Sequence, residues 1–334
     1  MRAYSAATLT DLHTKVCNKL VMATADDLDC VSSVDIQIHD VLMKADSMVW
    51  DWDIKSLWLT KARWTAMVKQ YIDPQRLQAW LDLITAKIGQ KSRGIAMMRS
   101  NDISQRGGED HPKKTRQWGS CMMSFSYKVL PQPTLTMHSR TSYLGYIGVL
   151  DLTVAWNLAR YIAEATGINV EDIQFIWYNE AVQWHYFKSL AFLFHHPDPK
   201  LQANYRNLLA AEELLPTQQK WVDDHPALLG GRRWLQKLLQ EDRDGKDYGF
   251  TTYNTYRRIR RRYHTEVLGL EYAEQFVGWY YPKRAGAEPR WMDTYPVLPS
   301  VSVTELDFSP IRMPFGREYG VAFEGELEDG DDDE

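Results

Sequence analysis

Three side chains at fixed spacing could together carry out nucleophilic chemistry on an anionic substrate. Cys121 precedes Arg140 by nineteen residues, and Asp151 follows Arg140 by eleven. A cysteine reacts as its thiolate, which a neighbouring guanidinium favours, and the same guanidinium can bind a phosphate. The pattern alone is weak, because a single cysteine in a strand is more often a small buried residue than a nucleophile.

The elements around the cysteine and the arginine predict that the two could meet. Residues 121–130, CMMSFSYKVL, and residues 134–140, TLTMHSR, have the composition of strands, and the turn PQP lies between them. This arrangement predicts a β-hairpin. Cys121 opens its first strand and Arg140 closes its second, so strand pairing could bring the thiol beside the guanidinium.

The other predicted elements combine strands with helices. Residues 57–87 predict two helices, the second starting at Asp73-Pro74, and residues 151–165 predict a helix with Asp151 as a candidate N-cap and Gly167 as its stop. Strands are predicted at 93–98, at 173–177 and within 296–311. Residues 200–280 are predicted to be mainly helical. This order predicts an α/β (α+β) layer architecture.

Composition indicates a globular protein in a reducing compartment. The chain has 334 residues, of which 44% are hydrophobic and 25% charged, enough for one large domain. Its three cysteines are odd in number and widely spaced, so disulfides are not expected to hold the fold. There is no apolar run of about 18 residues that could span a membrane, and the start of the chain is too acidic for a secretory signal. We expect a soluble, cytoplasmic protein without membrane contact.

Charge is distributed unevenly along the chain. Residues 324–334 carry eight acidic side chains and no basic one, whereas the rest is close to neutral despite the net charge of −5. The run RRIRRRYH at 257–264 could contact nucleic acid, but such a run is more often a solvated helix face or a subunit contact. A nearly neutral body makes nucleic acid an unlikely partner. The short runs HHPDP and DDH lack metal-ligand spacing, so we predict no metal site.

The segment SRTSYLGYIGVLDLTVAWNLARYIA, residues 139–163, resembles the thymidylate synthase and pyrimidine (deoxycytidylate) hydroxymethylase family. Arg140, Leu144, Gly145 and Asp151 fall in the matching register. CMMSFSYKV stands where the family has the strand opened by its catalytic cysteine, and SRGIAMM and FIWYNEAVQWHY resemble two further family segments. Together these similarities cover roughly residues 90–190.

The resemblance implies a thymidylate synthase-like mixed sheet with packed helices. It implies a single catalytic domain over residues 1–323, with a helical insertion or extension at about 200–290. Residues 324–334 are then expected to form an acidic, disordered tail.

The resemblance also implies a reaction and a set of contacts. Cys121 would add to C6 of a pyrimidine nucleoside monophosphate, so that C5 attacks the one-carbon unit of 5,10-methylenetetrahydrofolate. Arg140 would bind the 5′-phosphate, with Thr141 and Ser142 as possible hydroxyl donors. Arg93 resembles an arginine that reaches the phosphate in the neighbouring subunit, which implies a homodimer with shared active sites.

Asp151 indicates the base. Family members that act on uracil carry asparagine at this position, whereas those that act on cytosine carry aspartate. A carboxylate can accept a hydrogen bond from the N4 amino group of cytosine but meets O4 of uracil with like polarity. The resemblance therefore implies dCMP or CMP as substrate, with a methyl or a hydroxymethyl product. If Cys121 and Arg140 did not match the spacing of the family's motifs, Asp151 would be interpreted as a helix N-cap.

Two alternatives remain at this stage. The same chemistry could act on dUMP, or the chain could be a catalytically silent relative that binds nucleic acid or a partner protein. Family members that modify cytidine nucleotides occur in viruses, including bacteriophages, that alter their DNA bases. This resemblance would place the protein in the host cytoplasm.

Several positions depart from the family pattern. Ser120 and Met122 flank the cysteine in place of proline and histidine, and Tyr143 replaces an aspartate. Gln183 and His185 stand where the family has the histidine and tyrosine that contact the sugar, and both can form hydrogen bonds. His185 could equally be a helix-surface residue.

Two roles are assigned less directly. The family's glutamate on an early helix is missing, and the candidates to replace it as acid–base group are Asp46 and Asp53, each one methylene shorter. Ser126, in the strand that Cys121 opens, is a further candidate substrate contact.

Overall fold

The strands of the chain form one sheet. A computed structural model describes residues 1–32, 35–52, 61–87, 96–99, 121–186, 189–194, 196, 198–211, 213–241, 306 and 308. In this part of the chain the strands are β1 (Arg2–Thr8), β2 (Cys30–Val31), β3 (Asp35–Ser47), β4 (Ala96–Arg99), β5 (Met122–Lys128), β6 (Thr134–Tyr143) and β7 (Gln174–His185). Their order is β1-β3-β7-β6-β5-β4, and β2 pairs with β3.

The sheet is mixed. Strand β1 pairs with β3 and β6 with β7 in parallel, whereas β3–β7, β4–β5, β5–β6 and β2–β3 are antiparallel. The parallel pairs are joined by helical crossovers, as parallel pairing requires, and the pair β5–β6 is joined by a short turn. The predicted fold class, a mixed sheet with packed helices, is confirmed.

Eight α-helices accompany the sheet in the described residues. They are α1 (Leu9–Val21), α2 (Lys61–Tyr71), α3 (Pro74–Lys87), α4 (Gly148–Thr166), α5 (Leu190–Phe194), α6 (Pro199–Ala210), α7 (Pro216–Asp224) and α8 (Pro226–Glu241).

Helix α4 lies at the centre of the core. Every residue from Gly148 to Ala159 is buried, as expected for a helix enclosed on all sides. It ends at Gly167, whose positive φ of 73° suits a left-handed cap without the strain of a side chain. The aromatic ring of Phe308 stacks on Tyr161 of this helix and on Trp64 of α2. Residues near the chain's end therefore complete the core around α4.

The predicted hairpin and helices are largely confirmed. Strands β5 and β6 pair in antiparallel fashion as expected. Helix α3 starts at Pro74, with the side chain of Asp73 accepting from the Arg76 amide at 2.8 Å. The region 200–280 is mainly helical as far as Glu241, and the rest of it lies outside the described residues.

Two predicted boundaries change, and a third prediction falls mostly outside the described residues. The helix that was expected to begin at Asp151 begins at Gly148, so Asp151 lies in its first turn and is not its N-cap. The strand predicted at 173–177 runs on to His185, because β3 and β6 pair with it on both sides. Most of the strand predicted at 296–311 lies outside the described residues, and neither Leu306 nor Phe308 is in a strand.

No helix in the described part of the chain combines the length and the apolar character needed to cross a membrane.

Candidate active site

Pairing of β5 with β6 brings Cys121 and Arg140 together. The Arg140 amide donates to the Cys121 carbonyl at 2.7 Å, and the guanidinium Nη2 donates to Sγ at 3.6 Å. The register shifts between Met122 and Ser124, so a bulge at Met123 interrupts the ladder two residues after Cys121. Bulges redirect the chain at functional sites. The thiol and the guanidinium thus lie in contact where β5 begins beside β6.

Two hydrogen-bonding groups beside this pair lack a partner. Among the described residues, no group bonds to Nε of Arg140 or to Oγ1 of Thr141, although both atoms are buried. Buried polar atoms are nearly always satisfied in folded proteins. Each of the two groups is a donor of the kind that an oxyanion such as a phosphate accepts, and Nε belongs to a positively charged group.

A second pair ties the end of β6 to the start of α4. The Ser142 hydroxyl donates to Oδ2 of Asp151 at 2.6 Å. Both side chains are buried, with 2% of Ser142 and 7% of Asp151 exposed. Ser142 lies two residues beyond Arg140, about 7 Å along the strand. A buried carboxylate is therefore fixed close to the cysteine–arginine pair.

Glycines make the connection from β6 to α4 possible. A Cβ on Gly145 would lie 2.6 Å from the ring of Trp184 and 2.7 Å from Oγ of Ser189. A Cβ on Gly148 would lie 2.9 Å from Oγ of Ser142. Such distances are closer than carbon can approach, so only glycine fits without displacement. The small residues between the arginine and the aspartate therefore serve close packing.

His13 contacts this connection from α1, and sequence reasoning missed it. The His13 side chain is buried, and its Nε2 donates to the Leu144 carbonyl at 2.7 Å. Burial is the main cause that lowers the pKa of His13 to about 4. The imidazole is therefore neutral at pH 7, with its proton on Nε2. A histidine on the apolar face of an amphipathic helix was the available signal, but its partner lies 131 residues away.

Gln183 and His185 lie at the same end of the sheet. Gln183 pairs with Tyr143 across β6 and β7, and its carbonyl accepts from the Leu144 amide at 3.2 Å. His185 ends β7 and is buried, with its ring edge-on to Tyr143 at a centroid distance of 6.0 Å. The interpretation of His185 as a helix-surface residue is wrong, since the strand continues through it.

Asp46 does not lie near the cysteine. Its carboxylate is exposed, pairs with Lys44 at 3.0 Å and accepts from Gln174 at 3.3 Å. Gln174 is opposite Thr134 at the start of β6. Arg140 is six residues further along, about 20 Å away in an extended strand. The structure therefore places the acid–base candidate Asp46 at the other end of the sheet.

Ser126 is also distant from the pair. It lies five residues after Cys121, opposite Thr136 of β6 and Met97 of β4. That separation corresponds to about 16 Å along a strand. Arg93 and Asp53 lie outside the described residues. Among the residues described, no group of three or more His, Cys, Asp and Glu side chains could hold a metal ion.

Comparisons with known proteins find similarity only to solved structures. No protein-family model matches the chain, and no curated protein matches it. Among solved structures, the chain is similar to the thermostable thymidylate synthase A from Bacillus subtilis, at 12% sequence identity and a TM-score of 0.35. The similarity covers 55% of this chain and 84% of that chain.

Proposed function

We propose that the chain is a folate-dependent one-carbon transferase that modifies C5 of a cytidine nucleotide, dCMP or CMP. The observation that carries this proposal is the contact of Cys121 Sγ with Arg140 Nη2 at 3.6 Å, next to two buried donors that have no partner among the described residues. This arrangement supplies a nucleophile and an anion site in one place. The order of motifs in the sequence supplies the reaction class.

The reaction starts at the sulfur of Cys121. The thiolate forms a bond to C6 of the pyrimidine, and the electron pair of the C5–C6 double bond becomes available at C5. A bound folate would supply the one-carbon unit to C5, and its carbon–nitrogen bond would break in the transfer. Water or a hydride would then complete the hydroxymethyl or methyl group, while loss of the C5 proton and expulsion of the sulfur would restore the C5–C6 double bond. Nη2 of Arg140 donates to the sulfur that forms and breaks the bond to C6.

Arg140 and Thr141 bind the 5′-phosphate. Nη2 of Arg140 is directed to the thiol, while Nε of the same guanidinium and Oγ1 of Thr141 provide donors for phosphate oxygens. One guanidinium thus fixes the distance between the nucleophile and the nucleotide. Such fixed geometry lowers the entropic part of the barrier.

Asp151 recognises the base as cytosine. Ser142 donates to one carboxylate oxygen and so holds the group in one orientation. A carboxylate offers several acceptor positions and no donor, which suits the N4 amino group of cytosine. Uracil would present its O4 acceptor to the same oxygens. Gln183 and His185 lie at the same end of the sheet, where they can contact the sugar.

The one-carbon donor is 5,10-methylenetetrahydrofolate, which when bound supplies a carbon at the oxidation level of formaldehyde. The half-buried ring of Tyr143 beside His185 is an aromatic surface that fits a flat pterin. Tyr143 is the residue that we assign to this contact. Asp46 lies at the other end of the sheet from Cys121, so we keep Asp53 as the candidate acid–base group.

We also propose a homodimer, to which Arg93 would contribute a phosphate contact across the interface. Support comes from one face of the sheet. Met97 on β4 and Tyr178 on β7 are 62% and 42% exposed. They lie in neighbouring rows on the same face of the sheet, Met97 beside Ser126 and Tyr178 beside His138. This face combines exposed apolar side chains with polar ones, a composition typical of subunit contacts. A second copy would cover it.

Product analysis tests the proposed function. The purified protein is incubated with 5,10-methylenetetrahydrofolate and dCMP, CMP, dUMP or UMP, and each product is analysed by mass. We expect a cytidine nucleotide to gain a methyl or hydroxymethyl group with the wild type and not with Cys121→Ser. Modification of a uridine nucleotide alone would overturn the assignment of Asp151. Turnover that persists in Cys121→Ser would overturn the covalent mechanism.

A further inference from the structure

The buried imidazole of His13 has no role in the reaction described above. It is enclosed by the rings of Trp50, Trp52 and Phe192, all edge-on at centroid distances between 5.2 and 5.9 Å. In the neutral tautomer that donates from Nε2, the opposite nitrogen Nδ1 is an acceptor. Among the described residues nothing bonds to Nδ1, although it is buried.

An unpartnered buried nitrogen destabilises the fold, because its hydration is lost without replacement. A leucine at position 13 would fill an aromatic cage without that cost. The histidine therefore contributes something that an apolar residue cannot. Its one directional interaction with the chain's backbone is the hydrogen bond to the Leu144 carbonyl at 2.7 Å.

Leu144 is where the anion-binding arginine and the base-contacting aspartate are connected. Its amide donates to the Gln183 carbonyl, so its two backbone groups are held from β7 and from α1. Its side chain lies against Gly148, since a Cβ on that glycine would be 3.1 Å from Cδ2 of Leu144. Gly148 in turn lies against Ser142, whose hydroxyl holds Asp151. A shift of Leu144 is thus transmitted to the carboxylate.

Arg140 is held differently. Its amide bonds to Cys121 within the hairpin, and its guanidinium bonds to the thiol. Neither contact involves α1. Displacement of Leu144 should therefore disturb the position of Asp151 while leaving the cysteine–arginine pair in place.

We propose that His13 is a positioning residue that sets base discrimination by anchoring the Leu144 carbonyl, and so the Ser142–Asp151 pair, to α1. This inference rests on the proposed function. It assigns a specificity role to a residue on the first helix, more than 130 positions before the aspartate it positions.

The test compares two sets of variants at position 13. Glutamine can place its amide nitrogen where Nε2 of histidine lies, whereas asparagine is too short and leucine has no donor. We expect His13→Gln to keep the wild-type preference for dCMP over dUMP. We expect His13→Leu and His13→Asn to lower that preference about tenfold, through a higher KM for dCMP, as small misplacements at a site commonly do.

A matched control is His196→Leu. His196 is buried and packs on the same Phe192 ring, but its Nε2 bonds to Asn18 on α1 instead of the Leu144 connection. This variant should keep the wild-type ratio. Alkylation of Cys121 by iodoacetamide provides the second readout, and its rate should be the same in wild type and in all His13 variants.

The outcomes separate the two proposals. A wild-type protein that binds and modifies neither dCMP nor dUMP contradicts the proposed function and, with it, this inference. A wild type that prefers dCMP, with an unchanged preference in His13→Leu and His13→Asn, contradicts the inference alone. If His13→Leu does not fold, the comparison of His13→Asn with His13→Gln decides in the same way.

Discussion

The Ser142 hydroxyl donates to Oδ2 of Asp151 at 2.6 Å, and both side chains are buried. A hydrogen bond to a charged acceptor is worth about 1.5–3 kcal/mol. This bond joins the end of strand β6 to the first turn of helix α4. It fixes the orientation of the carboxylate that we assign to the base.

Ser142→Ala is expected to reduce kcat/KM for dCMP about tenfold or more, because the carboxylate loses the donor that orients it. Steady-state kinetics with dCMP as the variable substrate measure the effect. The matched control is Thr166→Ala, which removes a hydroxyl that bonds within the other end of the same helix. Equal kinetics in Ser142→Ala and wild type would show that the bond does not orient a base contact.

Asp151→Asn is expected to move the preference from cytosine towards uracil. An amide can donate to O4 of uracil, and the carboxylate cannot. The ratio of kcat/KM for dUMP to that for dCMP should rise at least about a hundredfold, since a site built around a hydrogen bond discriminates strongly against the wrong partner. C5-tritium release from the two labelled nucleotides measures it. An unchanged ratio would contradict the role of Asp151.

Gly148→Ala is expected to impair activity more than stability. The new methyl group would lie 2.9 Å from Oγ of Ser142 and must displace it. Alanine favours the helix by about 1 kcal/mol over glycine, which opposes the cost of the clash in the free energy of unfolding. We expect kcat/KM for dCMP to fall about tenfold, with a smaller change in stability than the control shows.

The control for that variant is Gly167→Ala at the other end of the helix. Gly167 has a φ of 73°, so alanine would be strained there, and apart from its chain neighbours no described residue lies within 4 Å of the added methyl group. It should lower the free energy of unfolding by about 1 kcal/mol and leave kcat/KM unchanged. Chemical denaturation and kinetics on both variants give the comparison. A Gly148→Ala enzyme as active as wild type would contradict the tight packing of the connection.

Burial of His13 predicts a loss of stability in acid. Its pKa is lowered to about 4, chiefly by desolvation, while the hydrogen bond to Leu144 opposes the shift and nearby His196 adds to it. In the unfolded chain the pKa is near 6.5. The unfolded state therefore binds more protons between these values, so stability is fully present above pH 6.5 and falls as the pH drops to about 4.

The size of this effect is about 3 kcal/mol for a shift of this magnitude. Urea denaturation at pH 7 and at pH 4 measures it in wild type and in His13→Gln, which cannot titrate. The glutamine variant should lose less stability over that interval, and the remaining loss includes the contribution of His196, whose pKa is also lowered by burial. Equal losses in both proteins would contradict a buried, neutral His13.

The sequence allowed the local elements of the site to be predicted because the signals are local. The turn residues between two strand-like runs predicted the hairpin of Cys121 and Arg140, and Pro74 and Gly167 marked a helix start and a helix stop. The spacing of these residues in the sequence did not predict the bulge after Cys121, because a bulge depends on how β5 pairs with β6.

The first fifty residues show what sequence reasoning left unassigned. Strand β3 alternates in part between buried and less buried residues, and α1 has an N-cap in Thr8, so both carried a signal. Their place in the sheet could not be predicted, since β3 pairs with β1 and β7, and the partner of His13 is 131 residues away. The chemistry of Asp46 suits an acid–base group, but the parallel register of β6 and β7 places it far from Arg140.

Covalent capture at Cys121 tests the central claim most directly. A fluorine at C5 cannot leave as the proton does, so 5-fluoro-dCMP with 5,10-methylenetetrahydrofolate should halt the reaction with the sulfur still bonded to C6. The account predicts an intact-protein mass increased by nucleotide and folate together, mapped by peptide sequencing to Cys121 and missing in Cys121→Ser. A wild-type protein that turns over dCMP yet forms no adduct, or forms it at Cys17 or Cys30, would contradict it.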